Sequence, residues 1–160
     1  RKQKHLLMKK LFFVFFCLSL VYLNAQSYTS INNLLDRLEK EGEINNNTEL
    51  YSIADKKFVL IKDMPDKMER HILELKEDTS TLIEIVDDKK NGTSVSKIYS
   101  GDVVRKRDVV SVRANMLEGK KIGMPVVYTF VLSFRKNIWY LTDANTGERW
   151  IETHYLEKNK

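Results

Sequence analysis

Ile31, Leu34, Leu35 and Leu38 recur at i, i+3, i+4 and i+7, which sets four apolar groups on one face of a helix. Ser30 suits its N-cap and Gly42 its C′ position, so the spacing predicts a helix over Ser30–Glu41. The polar run Asn45–Thr48 then reads as a loop, and Leu50–Ile53 and Phe58–Ile61 as a small hairpin about residues 54–57. Pro65 stands where a helix starts, and Met68, Ile72 and Leu75 follow at helical spacing, predicting a second helix over Pro65–Lys76. From Thr81 onward the pattern is that of strands. Leu82–Val86 and Val95–Tyr99 flank Asp87–Gly92, whose Asn91-Gly92 pair favours a tight reversal. Val103–Ala114 and Val126–Phe134 read as long strands, the second apolar on both faces and therefore central. Ile138–Thr142 and Arg149–Tyr155 flank the turn residues Asp143–Gly147. Trp150, Ile151, His154 and Tyr155 fit a strand and a helix alike, and both readings stay open for the last segment.

Helices followed by a run of strands define an α+β class: two helices of the N-terminal half packed on one face of a curved, mainly antiparallel sheet. The 160 residues suit one such domain, over residues 26–160, preceded by two further segments. Lys9-Lys10, the apolar stretch Leu11–Leu23 and the small residue Ala25 follow the order of a secretory signal over residues 8–25, with residues 1–7 as an upstream extension. A thirteen-residue helix covers only ~20 Å of a ~30 Å hydrocarbon core, too little for a membrane anchor. The wording MKKLFFVFFCLSLVYLNAQ resembles export signals of Bacteroidota, which implies a bacterial periplasmic or secreted protein with no membrane span after cleavage.

That division changes the charge picture. The net charge of +5 is carried by Arg1, Lys2, Lys4, Lys9 and Lys10, so the rest of the chain holds 22 basic residues against 22 acidic ones. A neutral body lacks the cationic surplus that neutralises phosphates, which excludes nucleic acid as a partner. The single cysteine, Cys17, leaves with the signal, and with it disulfides, thiolate catalysis and cysteine metal sites.

The order Ser30–Glu41, Leu50–Ile61, Pro65–Lys76 and paired strands resembles the NTF2-like (cystatin-like) cone fold. So does Gly119–Ala144, GKKIGMPVVYTFVLSFRKNIWYLTDA, in which an apolar strand turns at a basic–polar pair into a strand bearing a tryptophan. The resemblance implies a pocket between helices and sheet. There His71, as a general base, would work with Tyr128 and a nearby carboxylate in a small isomerase, dehydratase or hydrolase.

No motif fixes a chemistry. The two histidines beyond the expected signal, His71 and His154, lack His-x₃-His or His-Glu-x-x-His spacing and give no metal site, Gly119–Gly123 lacks phosphate-loop spacing, and no cofactor is implied. Arg105, Arg107 and Arg113 share one parity if residues 103–114 form a single strand, and their guanidinium forks suit a carboxylate or phosphate. Trp139 and Tyr140, with Tyr128 and Phe130, gather aromatic faces of the kind that line ligand cavities. The expectation is therefore an exported, non-catalytic module that binds a small molecule or a protein, with the cone-type enzyme as the alternative. Pairing of two copies through an exposed sheet edge is left open.

Overall fold

Every strand pairs antiparallel with the one that follows it in the chain, and the last returns to pair with the first. The structure, a computed structural model, describes residues 2–4, 25–42, 48 and 51–158. Helix α1 spans Ala25–Lys40; the strands are β1 Lys57–Asp63, β2 Lys67–Leu75, β3 Thr79–Asp88, β4 Thr93–Lys106, β5 Val109–Leu117, β6 Lys120–Arg135, β7 Ile138–Asp143 and β8 Arg149–Glu152. A short helix α2, Thr153–Lys158, ends the chain. Val59 of β1 faces Ile151 of β8, which closes an eight-stranded up-and-down barrel and leaves no sheet edge among the described residues.

This architecture corrects the α+β expectation and the NTF2-like resemblance, because among the described residues the strands close into a barrel and the second helix expected in the N-terminal half is strand. Residues predicted as helix over Pro65–Lys76 form the β1–β2 turn and strand β2. The reason is burial on both faces. Ile72 on the outer face and Leu73 and Leu75 on the inner one are all fully buried, so β2 shows no alternation, and Met68, Ile72 and Leu75 imitate a helical stripe. Phe58–Ile61 lies in β1, but its partner is β2 rather than Leu50–Ile53, of which Leu50 is outside the described residues and Tyr51–Ile53 is not strand. The proposed signal over residues 8–25 also lies outside them, apart from Ala25, as does most of the Asn45–Thr48 loop. The last segment resolves into both readings: strand through Glu152, helix from Thr153.

Tight reversals set the strand order. Lys136 and Asn137, at φ 46° and 65°, and Glu118 and Gly119, at φ 52° and 79°, are paired left-handed residues of the kind that make type I′ hairpin turns. Arg107, at φ 57°, turns the chain between β4 and β5 and so divides the single strand expected over Val103–Ala114.

Helix α1 packs on the outside of β1. Its stripe Ile31, Leu35 and Leu38, joined by Tyr28, is buried, as are the outward residues Val59, Tyr140 and Ile151. It begins five residues earlier than the Ser30 cap implied, while Gly42, at φ 73°, ends it as expected, its N–H donating to the Glu39 carbonyl at 3.2 Å. A polar clamp fastens it. Arg149 of β8 donates to Asn32 Oδ1 (2.8 Å), Asp36 (2.7 Å) and Glu39 (2.6 Å), and the Tyr140 hydroxyl donates to Glu39 at 2.8 Å. Burial works against the Glu39 carboxylate. The hydrogen bonds from Arg149 and Tyr140 and the charges of Arg149 and Arg135 nevertheless hold it below the ordinary carboxylate range. A depressed carboxyl contributes stability that is complete above its unfolded pKa and lost as pH falls through its folded one. Thermal stability is therefore expected to drop on acidification below about pH 4.5. Glu39→Gln should flatten that part of a melting-temperature profile against pH; an unchanged acid limb would place the loss elsewhere.

Candidate functional site

The barrel has two unlike ends. At one, segment 51–56 runs across the opening, and Arg105 straps it down by donating to the carbonyls of Thr48, Tyr51 and, at 2.8 Å, Arg107. Tyr51 packs on Trp139 at 4.9 Å between ring centroids, Trp139 on Phe134 at 4.3 Å, and Lys56 Nζ lies 5.9 Å above the Trp139 ring. Aromatic packing closes this end.

Toward the other end the inward positions become polar. Strand pairing puts His71 of β2 opposite Glu84 of β3, and two residues further along the same inner face stands Glu69. His71 Nε2 is 3.2 Å from Glu69 Oε2, and Nδ1 is 3.8 Å from Glu84 Oε1, so the imidazole lies between two carboxylates. Across the interior Trp150 of β8 touches two other strands at once: its ring lies 5.9 Å from His71 of β2, and 5.5 Å from Tyr128 and 5.4 Å from Phe130, both of β6. Contacts from β8 to β2 and to β6 pass over the intervening strands, which identifies this face as the interior.

The electrostatics follow from the enclosure. Burial, with the charges of Glu84, Asp143 and Glu148, pushes the Tyr128 hydroxyl up to about 12, so it stays protonated and neutral at physiological pH. A hydrogen bond from Lys67, then one from His71, hold the Glu69 carboxyl below its ordinary range. Two polar atoms here are buried without a hydrogen-bond partner: His71 Nδ1 and Trp150 Nε1. An indole N–H only donates, whereas an imidazole nitrogen donates or accepts according to its tautomer. Among the described residues the His71 ring is hydrogen-bonded to Glu69 but to neither Glu84 nor Tyr128. The described residues hold no group of His, Cys, Asp and Glu able to bind a metal ion.

The residues singled out from sequence fall in several places. His71 and Tyr128 meet on Trp150, His71 standing on a strand rather than a helix edge. Trp139 and Tyr140, neighbours on β7, point to opposite sides: Trp139 into the strapped end, Tyr140 outward to Glu39. Arg105 is the strap, Arg107 the turn, and Arg113 lies on the outer face of β5, so the structure does not gather the three arginines. A shallow depression of about 430 Å³ beside that turn is lined by Lys106, Arg107, Asp108 and Val109. Glu69, Glu84 and Trp150 were not selected from sequence. Once strands were assigned, the same-face spacing of Glu69 and His71 was available as a signal; the approach of Trp150 depends on closure.

The geometry defines the class as a closed antiparallel barrel with an ionisable inner cluster. Compared with known protein families, with curated proteins and with solved structures, the chain matches none.

Proposed function

We propose that this chain is a small exported, non-catalytic binding module, and that its ligand is held inside the barrel, over His71 and Trp150. An eight-stranded barrel is just wide enough to be filled by side chains or to take one small ligand. The observation that carries the reading is the pair of buried atoms without a hydrogen-bond partner, His71 Nδ1 and Trp150 Nε1, in one interior cluster. An unsatisfied buried polar atom costs about 1–3 kcal/mol, which an occupant supplying an acceptor to the indole would relieve. Flanking carboxylates accept and the indole donates, so the occupant needs both donors and acceptors, as a small hydroxylated molecule has. Export is supported by Lys9-Lys10, the apolar Leu11–Leu23 and Ala25; a cut after Ala25 keeps Tyr28, Ile31, Leu35 and Leu38 of α1 in the mature chain. The cone-type pocket of the enzyme alternative was expected between helices and a sheet; among the described residues the strands close into a barrel instead.

Thermal-shift measurements with a panel of monosaccharides and polyols test the reading on the wild type and on Trp150→Phe, which keeps an aromatic ring and deletes the N–H. The expected result is a stabilising shift by at least one class of sugar or polyol that disappears in the variant. A flat response across the panel, or a shift the variant retains, contradicts it.

A further inference from the structure

Closure leaves no free sheet edge among the described residues, so a sheet face is the surface left for two copies to share. Helix α1 takes the outside near β1, and among the described residues the outside of β4, β5 and β6 carries no helix contact of comparable extent. Cross-strand pairing arranges nine outward residues there in three rows. Asp102, Arg113 and Val127 form the first, Val104, Ser111 and Thr129 the second, and Lys106, Val109 and Val131 the third. The outer face of an antiparallel sheet is ordinarily polar, yet Val104 is 66% exposed, Val127 59%, Val109 42% and Val131 38%.

From this pattern we infer that the β4–β6 face is a self-association surface whose occupant is a second copy of this chain, related by a two-fold axis across β4 at Val104. The argument is complementarity. Along β4 the outward residues read acid, apolar, base: Asp102, Val104, Lys106. A two-fold axis in the interface plane and perpendicular to the strands reverses that order in the partner, so each Asp102 meets the other copy's lysine and the two Val104 residues meet on the axis. The same operation sets Val127 over the other copy's Val131 at both ends of β6, and lays the Arg113 stem over valine on β5. Neither Asp102 nor Lys106 makes a side-chain ion pair within the chain among the described residues, so both charges are available. Packing faces with strands nearly antiparallel suits the small crossing angle of stacked sheets, about 30°.

Size sets the strength. Three strands spaced about 4.8 Å apart, each lending about five residues at about 3.4 Å, make a footprint smaller than that of a standard stable interface. The dimer is accordingly weak and concentration-dependent, and partly electrostatic, so it weakens with salt.

Sedimentation velocity over a wide range of protein concentration tests this directly; the residues to be replaced are exposed, so their replacement should leave the fold intact, which circular dichroism of each variant checks. The wild type should shift from monomer toward dimer as concentration rises. Val104→Glu should abolish the shift, Asp102→Lys should weaken it at least tenfold, and the exchange Asp102→Lys with Lys106→Asp should restore it. A chain that stays monomeric throughout, a shift that survives Val104→Glu, or an exchange that fails to rescue would each overturn the inference.

Discussion

Replacing Trp150 by alanine should cost about 3–5 kcal/mol of folding stability, the range for a large aromatic side chain removed from a packed interior. Trp150 is 1% exposed and its ring is shared by β2, β6 and, through its own backbone, β7 and β8. Truncation therefore opens a void at the place where the two halves of the barrel meet, and the void is lined by His71 as well as by Tyr128 and Phe130. Urea unfolding followed by circular dichroism checks this, with Trp139 fluorescence as a second probe at the strapped end. A midpoint shift equivalent to less than about 1 kcal/mol would mean that Trp150 is not packed across the interior.

The second large effect comes from a residue with no side chain. A Cβ on Gly101 would lie 1.9 Å from the Arg113 carbonyl oxygen and 2.8 Å from Ala114 Cα. Both are backbone atoms of β5 and cannot rotate away, so β4 and β5 would have to separate where their register shifts between Ser100 and Gly101. Gly101→Ala should thus cost about 3 kcal/mol or more, at or beyond the upper end of ordinary overpacking. Gly123 supplies the control: a Cβ there meets nothing within 4 Å, so Gly123→Ala should leave the melting temperature nearly unchanged. Equal losses in the two variants would contradict the close approach of β4 to β5.

What could be read from the sequence was local, and what escaped was set by the closing of the barrel. The Ile31–Leu35–Leu38 stripe gave α1 because one face of that helix is buried and the other wet. Asn91-Gly92 and Asp143–Gly147 marked real reversals, with Gly92 at φ 65° and Gly147 at φ 74°. Arg107-Asp108 carries no such mark, since the left-handed residue is an arginine; overlooking it joined β4 to β5 and aligned three arginines that the folded chain separates. Strand β2 looked helical because neighbours on both sides and burial on both faces erase period-two alternation. In the candidate site His71 and Tyr128 were visible as the titratable and aromatic residues of an otherwise plain chain. Their common contact with Trp150 spans 79 and 22 residues of sequence, and no periodicity encodes it.

The return of β8 to β1 is what makes the inner face an interior, and solution NMR of residues 26–160 tests it in one spectrum. The account predicts cross-strand contacts between Val59 and Ile151 together with ring contacts between His71 and Trp150. Helical sequential contacts through residues 65–76, with no signal linking Val59 to Ile151, would contradict it and bring back a helix-on-sheet arrangement.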